Sequence, residues 1–427
     1  MKKNHFILIW SVLMTLLSFS VKAQNQSTII THANIYTQTS KGVIKDASII
    51  IDNGIIKAMG TDLKIPAGSQ VIDAKGGSIT PGLFNGVTHI GIEEVSAIRA
   101  TDDFMTKDDQ ITASLVVADA FNPRSVIIPQ NRIHGLTHAL VFPESGSKLV
   151  AGQVALVNLS ADAMHSVLND SVAIAINLGE KGKKLSGGSR AASFRQLKTL
   201  LNDVKDYQAN KQAFNKRQRR TYSASQDDLE ALIPVINGKK LVIVNIHRAS
   251  DIEHFIPLAQ KYHLRVVLAG VEEGWMVANK IAAANMAVII DPSYNIPGSY
   301  EKLGSRLENA ALMAKAGVKL IFTGIGFRNT HNAYLVRQAA GIAVSYGLPK
   351  QEAIAAITHN PMALFSGDKS AGTLMAGNKA DLVLWQNDPL ELTSEAQMVF
   401  VDGKQVAMVS RATRLRDRYF QRLKKQQ

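Results

Sequence analysis

The sequence predicts an α/β fold, a (β/α)8 TIM-like barrel carrying a small composite β-sandwich. Three observations lead there. Both ends of the chain read as short strands with tight turns, while the middle alternates apolar strand-like runs with helical patterns. The middle strands are continuous Val, Ile and Leu, as strands buried on both faces are. The stretch from about Pro81 to Phe365 suits the size of an eight-unit barrel, about 250 residues, with an insertion.

The first β-rich region covers residues 24–79. Ala47–Ile51 is a natural strand, and Asp52-Asn53-Gly54 before Ile55–Met59 is a strong hairpin signal. The pattern returns over residues 366–409, where Ala380–Trp385 forms one strand and Met398–Lys404 enters another hairpin. Two β-rich ends around a different middle predict one domain built from both. Within 80–365, strands are expected at Ala139–Phe142, Val154–Leu159, Val172–Asn177, Leu241–Ile246, Arg265–Ala269, Ala287–Ile290 and Lys319–Thr323. Helices are expected at Ile252–Tyr262, Gly274–Ala284, Leu307–Ala316, Asn332–Tyr346 and Lys350–Thr358. Ser225-Gln226-Asp227-Asp228 has the cap and early acids of a helix start. It marks the end of a basic helical insertion at about 181–224. Residues 410–427 read as an exposed basic helix.

Composition narrows the chemistry. The 427 residues are 46% hydrophobic and 19% charged, enough for a large core and against a disordered chain. There is no cysteine, so disulfides and thiolate ligands are excluded. Lys2 and Lys3, an apolar run from Phe6 to Phe19 and Val21-Lys22-Ala23 have the pattern of a secretory signal peptide over residues 1–23. A protein secreted across the inner membrane is expected, periplasmic and without integral membrane association after cleavage. The formal charge is +13. From Lys181 to Arg220 there are 12 Lys and Arg against Asp203 and Asp206, so the excess is local. Such a run suits polyanions, but no zinc knuckle or aromatic array accompanies it, and specific nucleic-acid binding is not expected. Neither a P-loop nor a nucleophile elbow appears in its required context.

Four stretches carry a resemblance. They are Thr80-Pro81-Gly82-Leu83, His247-Arg248-Ala249-Ser250-Asp251-Ile252, Thr358-His359-Asn360-Pro361-Met362-Ala363, and Gly372 to Val383 followed by Asn387-Asp388-Pro389-Leu390. Together they resemble the amidohydrolase superfamily, in its imidazolonepropionase-like branch. The resemblance implies a metal-dependent-hydrolase barrel that cleaves non-peptide C–N bonds with zinc or a similar divalent metal, its ligands at the C-terminal ends of the strands.

Matching the family's ligand positions to this chain gives mostly absences. The first strand's His-x-His becomes Val87-Thr88-His89. The fifth-strand His falls on Asn245, with His247 two residues late. The sixth-strand His falls on Gly270 and the last-strand acid on Gly324. A fourth-strand ligand would fall near Ala175 or Glu180. His89 is thus a vestigial metal ligand beside the lost positions Val87, Asn245, Gly270 and Gly324. Glu93, His247 and Glu272 are candidates for lining the pocket. His134 and His138 are not expected to share a helical face. Glu94 and Glu273 have solvated or helix-terminal readings, and Arg248 with Asp251 reads as a local ion pair. A catalytic zinc needs about three protein ligands, so the expectation is a non-catalytic relative. Its partner would be an active paralogue or a second copy of itself. The alternative is an active hydrolase of cyclic amides or dipeptide-like substrates with a site rearranged around His89 and His247.

Overall fold

The computed structural model of the chain describes residues 27–324 and 330–426. The expected signal peptide lies outside them. The N-terminal strands are β1 (Thr28–Tyr36), β2 (Val43–Asp52), β3 (Ile55–Gly60), β4 (Gln70–Asp73) and β5 (Ser78–Pro81). The barrel strands are β6 (Leu83–Thr88), β7 (Leu136–Val141), β8 (Val150–Asn158), β9 (Val167–Asn177), β10 (Leu241–Ile246), β11 (Arg265–Gly270), β12 (Ala287–Ile290) and β13 (Leu320–Phe322). The chain returns to the first domain as β14 (Leu382–Trp385), β15 (Ala396–Val401) and β16 (Lys404–Gln405).

The composite domain therefore draws strands from both ends of the chain, as the patterning predicts. Its hydrogen bonding differs from that of a two-sheet sandwich. The strands form one sheet in the order β16-β15-β14-β5-β1-β2-β3, with β4 pairing β1 off this path. The branch arises inside β1. His32 has φ 50°, and the register with β2 shifts between Ile30 and Ala33. The first half of β1 then pairs with β4 and the second half with β5. In both hairpin turns the central pair is left-handed, Asn53 (φ 50°) with Gly54 (φ 76°) and Asp402 (φ 51°) with Gly403 (φ 76°). That is the type I′ geometry that the Asn-Gly and Asp-Gly signals favour. A Cβ on Gly54 would lie 2.8 Å from the Gly403 carbonyl oxygen, so the two turns pack backbone to backbone.

The barrel runs β6 to β13 in sequence order. No ladder joins β13 to β6 among the described residues. The two ends close by packing, and Gly86 permits it. A Cβ there would lie 2.9 Å from an Ile289 methyl and 3.1 Å from the Phe322 carbonyl oxygen. One strand departs from the all-parallel expectation: β8 is antiparallel to both β7 and β9. The links 142–149 and 159–166 hold no helix. A parallel crossover needs about a dozen residues or more, so links this short dictate a meander. All nine residues of β8 are buried, which is why its composition resembles its parallel neighbours.

The basic segment after β9 forms the helices Glu180–Leu185, Arg190–Ala209 and Lys211–Asn215. It is part of the outer helical layer, not a detached solvated insertion. Leu197, Leu201, Val204 and Tyr207 are buried in the core shared with the next helix, Gln226–Ile236, which Ser225 caps through the Asp228 amide. Its charge lies on the outer face.

Trp385 of β14 and Thr80 of its neighbour β5 lie where the composite sheet meets the barrel. Both are buried, and the Trp385 indole Nε1 donates to Thr80 Oγ1 at 2.9 Å, while its ring packs on Gly135 before β7. Thr80→Val keeps the shape and leaves the buried N–H without a partner. The expected result is a fall in unfolding free energy of about 1–2 kcal/mol. An unchanged urea midpoint would mean that this bond contributes nothing.

Candidate functional site

The C-terminal mouth of the barrel holds two histidine–carboxylate clusters. The first begins at His89, one residue beyond β6 and 2% exposed. Its Nδ1 lies 3.3 Å from Glu93 Oε2, and its Nε2 faces Glu144 Oε1 at 3.9 Å without a hydrogen bond. The ring stacks on Phe104 with centroids 4.1 Å apart. Glu93 also accepts from Thr330 Oγ1 at 3.1 Å. The hydrogen bond from His89 is the main influence holding the Glu93 carboxyl below the usual range. Glu144, in the loop after β7, receives Lys181 Nζ at 2.8 Å.

The second cluster centres on His247, just beyond β10. Its Nδ1 pairs with Glu272 Oε2 after β11, and its Nε2 lies 3.6 Å from Glu301 Oε1 in the loop after β12. Lys302 reaches the other Glu272 oxygen at 2.9 Å. Arg190 bridges Glu301 at 3.2 Å and Asp251 at 3.0 Å. Burial raises the Glu272 pKa, but the hydrogen bond and charge of His247, reinforced by Lys302, outweigh it and hold the carboxyl at about 2. The Glu180 amide donates to Glu301 at 2.7 Å, so the helix carrying Lys181 touches both clusters.

Each expected position can now be placed. Val87 is buried in the barrel's apolar interior with Phe84, Leu140, Phe142 and Ile243. Beside it a cavity of about 30 Å³ is lined by Val87, Phe142, Pro143, Ala175, Asn177, Asn245 and Ala269. That holds a water or two and no amide substrate. Gly270 has φ +92°, and a Cβ on it would lie 2.4 Å from His247 Cε1 and Nδ1. The imidazole thus lies where a sixth-strand side chain would start. A Cβ on Gly324 would meet the Val336 amide nitrogen at 3.0 Å and Asn85 Nδ2 at 3.4 Å, so its neighbours would have to give by a few tenths of an ångström.

The structure brings Glu93 to His89 and Glu272 to His247. It keeps the others apart. Glu94 accepts from exposed Asn122 at 3.1 Å, and Glu273 caps the helix Ala249–Lys261 through the Ala249 amide at 3.0 Å. His134 stacks on Tyr334, whereas His138 is buried in β7 beside Thr137. Arg248 is 3.8 Å from Asp251, whose nearer partner is Arg190. Glu144, Lys181, Arg190, Glu301 and Lys302 carry no local motif. Pro143-Glu144 directly after a strand was the one available signal.

At the mouth, the described histidines are engaged by separate carboxylates rather than gathered around one point. Each histidine's nitrogens point outward at separate carboxylates, and among the described residues no three His, Asp or Glu side chains form a group able to hold an ion.

The comparisons identify the ancestry. "Amidohydrolase tasK" of Hapsidospora irregularis is 20% identical over 390 residues, covering 83% of this chain and 39% of its own length, so the chain spans about two fifths of that relative. An amidohydrolase from Thermotoga maritima MSB8 superposes with a TM-score of 0.78 at 22% identity, over 89% of this chain and 99% of that one. A prolidase complexed with N-methylphosphonate-L-proline gives 0.54 at 15% identity, over 89% and 99%. Molinate hydrolase gives 0.55 at 14%, over 90% and 95%. These likenesses establish the fold. The amidohydrolase family profile matches residues 134–406, and the chain belongs to that family.

Proposed function

We propose that this protein is an exported, periplasmic member of the imidazolonepropionase-like branch that no longer performs the family's metal-dependent hydrolysis of C–N bonds. One observation carries the reading: the His247 imidazole lies against Gly270, where the sixth-strand ligand would stand. The apolar surroundings of Val87 support it independently. The protein keeps the barrel as a scaffold and binds through its surfaces, with an active paralogue or a second copy as the expected partner. Elemental analysis of the purified protein tests this. Sub-stoichiometric zinc, unaffected by His89→Ala, is expected. Near-stoichiometric zinc lost in that variant would defeat the proposal.

A specific observation favours the second reading, a rearranged C–N hydrolase. His89 Nε2 is buried without a hydrogen-bond partner, as a free ligand or proton acceptor would be. A screen of cyclic amides and dipeptides, with and without added divalent metal, separates the two. Metal-dependent turnover abolished by His89→Ala would establish the hydrolase.

A further inference from the structure

The helix Arg411–Gln426 has a base tied to the protein and a distal part, Arg416 to Lys425, that is exposed throughout. Ser410 and Thr413 cap its start reciprocally, with Ser410 N donating to Thr413 Oγ1 at 2.8 Å and Thr413 N to Ser410 Oγ at 3.3 Å. Leu415 is half-buried, and its helix packs near the helix Ile127–Arg132. From Arg416 to Lys425 every side chain is exposed.

That exposed part is not uniformly polar. At helical spacing, Ala412, Leu415, Tyr419 and Leu423 fall on one stripe, with Phe420 at its edge. Tyr419, Phe420 and Leu423 are each 57% exposed, an apolar load that a purely solvated helix has no reason to carry. A second stripe holds Arg411, Arg414, Arg418, Arg422 and Lys425, and Arg416 falls within the apolar side, between Leu423 and Phe420. The helix has seven Lys and Arg against one acid, Asp417. No helix among the described residues is long and apolar enough to cross a membrane. A short helix with aromatic and leucine residues on one side and arginines beside them, low in overall hydropathy, has the chemistry of one lying in a lipid interface.

We infer that this helix docks the protein peripherally on an anionic lipid surface. Tyr419, Phe420 and Leu423 enter the headgroup boundary, and the arginine stripe meets the lipid phosphates. Charge complementarity selects this occupant: a second copy would set seven cations against seven, whereas an anionic surface attracts each basic residue. The barrel mouth plays no part, so the inference stands or falls independently of the metal question.

The test is co-sedimentation of the full chain with vesicles of phosphatidylcholine, alone or mixed with phosphatidylglycerol. Pelleting is expected only with the anionic lipid, and raised salt weakens it. The variant Tyr419→Ser/Phe420→Ser/Leu423→Ser loses affinity by about tenfold or more. Arg414→Gln/Arg418→Gln/Arg422→Gln loses about fivefold per charge. Neither set contacts the core, so thermal unfolding stays where it was, and anything contributed by residues 1–26 is common to all the proteins compared. Equal pelleting with neutral lipid, or an apolar-to-Ser variant that pellets like the parent, overturns the inference. So does self-association, abolished by the same variant, without any vesicle binding.

Discussion

Gly270→Ala is expected to destabilise the protein by about 2–5 kcal/mol, of which about 1–3 kcal/mol should be relieved when His247 is also replaced by Ala. Two terms contribute. At φ +92° an L side chain pays about 1–2 kcal/mol of backbone strain. The new methyl would also sit 2.4 Å from two ring atoms of His247, an overlap costing about 1–3 kcal/mol even after relaxation. Only the second term depends on the ring. Denaturant unfolding of the parent, the two single variants and the double variant isolates it as a coupling of about 1–3 kcal/mol. Additive costs would mean that the His247 ring does not occupy the space beside Gly270, and the observation that carries the proposed non-catalytic reading would fall. By the same geometry, a histidine at position 270 could be accommodated only after His247 had moved.

Local chemistry made some of this architecture legible. Asn53-Gly54 and Asp402-Gly403 announce their turns because only residues tolerant of positive φ close such hairpins. The reading of Val87, Gly270 and Gly324 as lost ligands rests on chemistry alone, since a ligand must have a lone pair. The direction of β8 was not, since an apolar run reports burial and not orientation, and only the helix-free links on either side decide it. The branch in β1 hangs on one left-handed residue, His32. The partners of the histidines were half legible. Glu93 follows His89 by four residues, and Glu272 lies just past the adjacent strand. Glu301 and Arg190 come from loops and helices far along the chain, and nothing in the sequence around Tyr300-Glu301-Lys302 signals that the Glu turns inward while Tyr300 faces solvent.

The largest pH effect is expected from Glu272. Its folded pKa of about 2 lies below the ordinary 4.5, so its pairing stabilises the fold fully above pH about 4.5 and is lost as pH falls through about 2. A difference of that size corresponds to about 3 kcal/mol. Glu272→Gln is neutral throughout, so the stability gap between parent and variant should shrink by about that amount over the window. Glu93, also held low, titrates in both proteins and cancels from the difference. Parallel stability curves across this range would show that Glu272 is not held by His247 and Lys302. The same value bears on chemistry. A general base works best with a pKa near the operating pH, and a carboxylate at about 2, with one oxygen on His247 and the other on Lys302, is poorly matched to taking a proton from water near neutrality. If Glu272 serves structure in this way, Glu272→Gln should weaken the protein in the acid-dependent manner described while leaving its zinc content unchanged. A change in bound zinc would instead place this carboxylate in a metal site.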